Sequence, residues 1–202
     1  MDGTGREMEG VLVAIRERKS TRAFSSRTVG PEVVRRALYA ARWAPSSGNQ
    51  QPWRWVIVTN SPTRAGLDTA LNPGNLWAKR APVLAALVSH PHLDHQLDSR
   101  DYFLFDSGLS AMCFILQCVH EGLVAHPLVG FNEQKAREAL GTPPDYRVIV
   151  IVAVGYPGNP DTDADEATRH KDTKQRTRFP GHIVVHNELW GQGYPDSEDV
   201  TP

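Results

Sequence analysis

The longest apolar pattern in the chain runs from Asp101 to Gly122. Phe105, Leu109, Met112, Cys113, Leu116 and Val119 recur at helical spacing and predict a helix with this stripe buried. A second helical pattern opens at Gly30-Pro31-Glu32, where proline suits a first turn, with Val33, Val34, Ala37, Leu38, Ala40 and Ala41 as its stripe. Val11 to Ile15 predicts a short helix ending in the charged Arg16-Glu17-Arg18. Ser61-Pro62-Thr63 starts another short helix, Leu71 to Lys79 is weakly helical, and Asn132 caps a helix running through Ala136 and Leu140. Between these lie β-branched and apolar runs of strand length: Trp53–Val58, Pro82–Val88 (central in a sheet), Leu123 onward (stopped by Pro127 and Gly130), and Arg147–Val154.

Residues Pro157 to Pro202 follow another pattern. They are polar, rich in Pro, Gly and Asp, and carry one short apolar run, Ile183-Val184-Val185. Such a tail cannot build its own core. It is disordered or wraps another surface, and a partner subunit is the natural one. The chain divides into a domain over 1–156 and an extended arm over 157–202 that completes the same domain.

The bulk numbers narrow the classes. A chain of 202 residues fits one domain with an appendage, and a 40% apolar fraction suffices for a core. A net charge of −1 gives no reason to expect a nucleic-acid or anionic-membrane partner. Cys113 and Cys118, five apart on one predicted helix, face different directions and do not pair, which suits a reducing compartment. Met1 to Gly10 lacks the apolar core of a signal peptide. No apolar run is expected to span a bilayer, so the expected location is the cytoplasm.

Two stretches carry candidate chemistry. Arg16, Arg18, Lys19, Arg22 and Arg27 place five cations in twelve residues, opposed by Glu17, with Ser20 and Thr21 as hydroxyl donors. This is an anion site or a solvated basic turn. Ala44-Pro45-Ser46-Ser47-Gly48-Asn49-Gln50-Gln51-Pro52-Trp53 joins a helical to a strand pattern; its hydroxyls, amide and backbone N–H groups could bind a polar heterocycle, or form an ordinary loop. His90, His92, Asp94 and His95 lie within six residues, but Pro91 marks a loop and nothing fixes a metal-binding geometry. Asp161-Thr162-Asp163-Ala164-Asp165 departs from a calcium loop at Glu166 and Asp172, so it reads as an acidic linker. A second set of cations, including Lys171, Lys174, Arg176 and Arg178, follows in the tail.

In order, these segments resemble the FMN-dependent nitroreductase family over about Val11 to Pro180. Arg18-Lys19-Ser20-Thr21-Arg22-Ala23-Phe24 is similar to its Arg-Arg-Ser-x-Arg-x-Phe motif. The Ala44–Trp53 loop is similar to its Ala-Pro-Ser-x-x-Asn-x-Gln-Pro-Trp motif. Gly122-Leu123 through Pro127-Leu128-Val129-Gly130-Phe131, then Tyr146 to Tyr156 and the pair Arg176 and Arg178, complete the match. The resemblance implies an α+β fold, with a nitroreductase-like mixed central sheet sandwiched by helices. It also implies a homodimer with FMN at the interface and a C-terminal arm wrapping the partner.

Carried onto this chain, the resemblance implies that Arg18, Lys19, Ser20 and Arg22 hold the FMN phosphate and ribityl chain, with Arg176 and Arg178 closing the phosphate site. Pro45, Ser46, Ser47 and Asn49 would contact the isoalloxazine from the other subunit, and Asn75 its pyrimidine edge. Pro127 and Leu128 would pack on one flavin face, and the backbone N–H groups of Val129 and Gly130 would meet the N5 and O4 edge. Lys19 stands where the motif has a second Arg, which keeps the charge and loses the bidentate fork. Val129 stands where some members have Glu.

The implied activity is hydride transfer from NADH or NADPH to a nitro compound, quinone or similar acceptor by a ping-pong route. No catalytic side chain and no metal are expected, because the flavin carries the chemistry. The alternatives are an FMN-sequestering protein, a specialised flavin chemistry such as dehalogenation, and a phosphate-binding α+β domain without flavin. The short Pro91–Ser99 segment predicts an open site without a large lid.

Overall fold

The structure, a computed structural model, describes residues 10–59 and 62–193. The readings of residues 1–9, of Ser61 and of 194–202 fall outside these described residues. The helices are α1 (Val13–Glu17), α2 (Pro31–Arg42), α3 (Pro62–Ala70), α4 (Tyr102–His120), α5 (Glu133–Leu140), α6 (Pro160–Asp163), α7 (Glu166–Thr173) and α8 (Gly181–Val184). The strands are β1 (Arg54–Val58), β2 (Val83–Ser89), β3 (Gln96–Leu97), β4 (Arg100–Asp101), β5 (Val124–Leu128) and β6 (Arg147–Gly155).

Four strands form the main sheet in the order β1-β2-β6-β5. Every residue of β2 is buried, as its unbroken apolar run requires of a central strand. Its side chains alternate between two cores. Leu84, Ala86 and Val88 join Leu67, Ala70, Trp77 and Ala136 on one face. Val83, Ala85 and Leu87 join Ala37, Ala41, Phe114, Ile115 and Cys118 on the other. This period of two puts α3 and α5 on one side and α2 and α4 on the other. The α+β class and the helical sandwich are therefore as expected. The pairing within one chain is antiparallel throughout rather than mixed.

Three sequence expectations are corrected here. Pro127 does not end its strand, because β5 continues to Leu128, with Pro127 opposite Val152. Here β5 is an edge strand, where a missing N–H on the open side costs no ladder bond. The stripe of α4 is the wrong one. Its buried residues are Phe103, Asp106, Ser107, Ser110, Ala111, Phe114, Ile115 and Cys118, whereas Phe105 is 63% exposed and Met112 38% exposed. The helix is apolar on most sides, so periodicity alone picks no face. The small serines decide it: Ser110 Oγ donates to the Ala41 carbonyl at 3.1 Å, which lets α2 and α4 pack closely. By length and composition α4 could also cross a membrane, contrary to the expectation for apolar runs, but one face of it is built into the core. Cys113 and Cys118 are both free, as expected, and burial pushes the Cys118 thiol up to about 12.

The tail does not detach at Pro157. Asn159 and Asp165 cap α6 and α7, and the buried Asp172 of α7 docks on the N-terminal segment. The exposed arm begins beyond it, with Phe179, Ile183, Val184, Leu189 and Trp190 all more than half exposed.

Candidate functional site

Asp172 organises the N-terminal basic segment. Its Oδ2 accepts from the backbone N–H groups of Arg22 (2.6 Å) and Ala23 (3.0 Å), and Arg22 Nη1 donates to Oδ1 at 3.1 Å. Lys19 Nζ donates to the Asp172 carbonyl. Two of the predicted phosphate ligands, Lys19 and Arg22, are thus engaged with α7. Arg22 also lies over the Trp77 ring, 5.7 Å from its centroid.

Arg18 is left in different company. Its Nη1 donates to Ser20 Oγ at 3.2 Å, and Arg176 Nη1 donates to the Arg18 carbonyl at 2.7 Å. Partial burial lowers the Arg18 pKa, and the charges of Arg178 and Arg176 lower it further. Among the described residues none of these three guanidiniums has a carboxylate within salt-bridge distance. Three cations from distant parts of the chain, without a counter-charge among the described residues, form a cradle whose charge suits an anion.

The end of β5 reaches the same region. His126, 8% exposed, lies with Nδ1 3.0 Å from the Thr21 carbonyl. A carbonyl only accepts, so Nδ1 carries the proton. Burial pushes the His126 pKa down to about 4, against the raising effect of that hydrogen bond, and the ring lies 4.3 Å from Trp77. Past Pro127 and Leu128, the Gly130 carbonyl accepts from the Asn72 N–H (3.0 Å) and from Asn75 Nδ2 (2.9 Å). Asn75 is therefore held against Gly130. A side chain at position 130 would collide with the Asn75 amide. Among the described residues the N–H groups of Val129 and Gly130 donate no hydrogen bond, and the Val129 side chain is 77% exposed.

Pro45, Ser46, Ser47 and Asn49 form a second, separate group. The loop is mostly exposed, with Gly48, Asn49 and Gln51 at positive φ (54°, 57° and 50°). For Gln51 that conformation is uncommon, and it holds because its N–H donates to Ser46 Oγ at 2.9 Å. The Ser47 N–H donates to Asp106 Oδ2 at 2.7 Å. Among the described residues no hydrogen bond or ion pair of the chain joins this loop to the cradle. A cavity of about 650 Å³ is lined by Arg35, Arg36, Tyr39, Ala40 and Gln117, none of them a site residue predicted from the sequence.

In the histidine cluster the His90 and His92 rings stack at 5.0 Å, but His90 Nε2 faces Asp145 at 3.3 Å, and His95 sits apart against Gly48. No group of three or more His, Cys, Asp or Glu suited to a metal exists among the described residues. Sequence reasoning missed Asp172, Asp106 and His126. Only the position of His126 beside the Pro127 motif was a signal. The two aspartates look like any others until their burial is known.

Fold and charge together define an α+β protein with a cluster of unpaired guanidiniums among its described residues. The profile of the Nitroreductase family matches residues 15–75 and 69–156. The chain belongs to the nitroreductase family, and it is an oxidoreductase of that flavin-dependent class. A proposed NADH dehydrogenase/NAD(P)H nitroreductase of Archaeoglobus fulgidus is 29% identical over 156 residues, covering 74% of this chain and 87% of that one. The NADH dehydrogenase of Thermus thermophilus is 27% identical, covering 70% and 83%. Among solved structures, an oxidoreductase containing FMN superposes with a TM-score of 0.77 at 26% identity, covering 90% of this chain and 93% of that one.

Proposed function

We propose that this chain is an NAD(P)H-dependent FMN oxidoreductase that reduces nitro compounds, quinones or similar electron-poor acceptors by a ping-pong route, in the cytoplasm. The observation that carries the reading is the cradle of Arg18, Arg176 and Arg178, three guanidiniums with no carboxylate among the described residues. A phosphate monoester supplies the missing charge, and the fork of each guanidinium suits its oxygens. FMN therefore fits these residues. When bound, it would supply the hydride chemistry, accepting from the nicotinamide and delivering to the acceptor.

The chain's own residues bind and orient. Arg18, Ser20, Arg176 and Arg178 would hold the phosphate, with Lys19 and Arg22 adding positive charge while anchoring α7. Pro127 and Leu128 would form the wall under the ring. The open N–H groups of Val129 and Gly130, with Asn75 fixed beside them, would offer donors to the ring edge. Donors pre-aimed by the fold favour the electron-rich state of a bound cofactor.

Pro45, Ser46, Ser47 and Asn49 would act on the ring held by the other subunit, since no hydrogen bond or ion pair among the described residues ties them to the cradle. A homodimer would also cover the apolar faces left open here: Leu104, Phe105 and Met112 of α4, Leu12, Val13 and Ile15 around α1, and the arm. The deciding experiment is an absorbance spectrum of the purified protein, then anaerobic addition of NADH and of NADPH. Flavin bands that bleach agree with the reading; holoprotein that neither donor bleaches overturns the hydride step.

A further inference from the structure

The Pro45–Asn49 loop rests on a pair of carboxyl groups. Asp106, on the buried face of α4, is 2% exposed, and its Oδ2 accepts the Ser47 N–H at 2.7 Å. Asp94 lies beside it at the end of the Pro91–Leu93 turn, where its Oδ1 accepts the His95 N–H at 2.8 Å. Asp94 Oδ2 is fully buried and finds no donor on any neighbouring group. The Asp94 side chain is in hydrogen-bond contact with the carboxyl of Asp106.

Two ionised carboxylates offer each other acceptors only. A buried oxygen in that position is satisfied by one proton held between the two groups. Burial raises the Asp94 pKa, as do the contact with Asp106 and its charge, while the His95 N–H and ring oppose the shift. The charges acting on Asp94 are thus Asp106 on α4 and His95 on its own segment; the loop from Ser46 to Gln50 carries none. The same segment touches the loop a second time. A Cβ on Gly48, which sits at a φ of 54°, would lie 2.8 Å from His95 Nε2.

We propose that Asp94 and Asp106 share one proton, and that this pair positions the loop through the Ser47 N–H. The shared proton answers the orphaned Asp94 Oδ2, while Asp106 Oδ2 keeps the Ser47 N–H as its donor. Neither is a catalytic residue. They set where Ser46, Ser47 and Asn49 stand, and this last step rests on the reading of the loop as a flavin contact.

The sign with pH follows from the raised carboxyl. Its contribution to stability is full below the ordinary aspartate value of 3.8 and is lost as pH rises through the raised one. The experiment measures the melting temperature of the flavin-free, full-length protein against pH, beside the FMN dissociation constant over the same range. The proteins are the parent, Asp94→Asn, Asp106→Ala and Asp106→Asn. Relative to Asp94→Asn, the parent should lose melting temperature as pH rises through that window, then run level. Its FMN affinity should fall in the same window, while that of Asp94→Asn stays constant. Asp106→Ala should bind FMN about tenfold more weakly, the loss of one hydrogen bond to a charged group, and Asp106→Asn, which keeps an acceptor, should recover to within about threefold. Should Asp106→Ala fail to fold, Asp106→Asn and the two pH curves still decide. Parallel melting curves for parent and Asp94→Asn overturn the shared proton, and unchanged FMN affinity in Asp106→Ala overturns the positioning. If no protein binds FMN, the functional reading fails, while the melting curves still report on the pair.

Discussion

Arg22 and Asp172 stand 150 residues apart in the chain and 3.1 Å apart in the fold. The Asp172 carboxylate also takes the Arg22 and Ala23 N–H groups, so it fixes the backbone of the basic segment as well as one of its charges. Replacing it with Ala leaves two backbone donors and a partly buried guanidinium unmatched. Such a loss costs about 3–5 kcal/mol. Urea unfolding of Asp172→Ala should show a drop of that order, and FMN should bind more weakly because Arg18 and Ser20 lose their footing. Stability equal to the parent's would mean the contact contributes nothing.

Arg176 and Arg178 carry the second half of the cradle. Each charge-assisted bond to phosphate is worth about 1.5–3 kcal/mol, or tenfold and more in affinity. Arg176→Ala with Arg178→Ala should weaken FMN binding by roughly 100-fold, read by flavin fluorescence titration. With those two charges gone, the Arg18 guanidinium is also relieved of repulsion. Unchanged affinity would remove the arm from the phosphate site.

His126 makes the fold acid-sensitive in a defined window. Its pKa is about 4 in the folded chain against an ordinary 6.5. Below pH 6.5 the unfolded chain takes up a proton that the folded chain refuses, so stability falls from there down to about pH 4 and then levels. A shift of that size is worth about 3 kcal/mol at 1.36 kcal/mol per pKa unit. His126→Asn keeps a donor toward the Thr21 carbonyl and removes the titration. Its denaturation free energy should lack this slope; an identical slope would exclude His126 as the cause.

Gly130 has no side chain because Asn75 occupies that space. Gly130→Ala should push the Asn75 amide aside and break its bond to the Gly130 carbonyl. One hydrogen bond costs about 1 kcal/mol of stability. The larger effect should be on the flavin, with a shifted absorbance spectrum or weaker binding. A spectrum and affinity matching the parent's would mean Asn75 does not serve the ring.

Phe105 was expected in the core and lies 63% exposed on α4. If this face joins two subunits, Phe105→Glu places a charge in the seam and should give a monomer in sedimentation, with FMN lost alongside. A dimer that persists with full flavin content would place the interface elsewhere.

How much of this was legible follows from which interactions are local. The strands β1, β2 and β6, the cap at Asn132 and the helices α2 and α5 could be read because burial periodicity and turn chemistry act over a few residues. The cationic segments, and the loops with their family spacing, were legible for the same reason. Nothing local distinguished Asp172 or Asp106 from a solvated aspartate.

By itself, the sequence determined an α+β chain, its family, two cationic stretches, a polar loop and a tail too polar for a core of its own. Tertiary structure alone decided four things. It buried the serine face of α4 instead of the phenylalanine face, because hydroxyls bonded to backbone allow close helix packing. It let β5 run through Pro127, because an edge strand needs no N–H there. It docked the first part of the tail through Asp172 and left Arg18, Arg176 and Arg178 facing one another. And it set Asp94 against Asp106 beneath the loop. Each depends on partners far apart in sequence, and a carboxylate or guanidinium acquires its role only when burial removes the water that would otherwise solvate it.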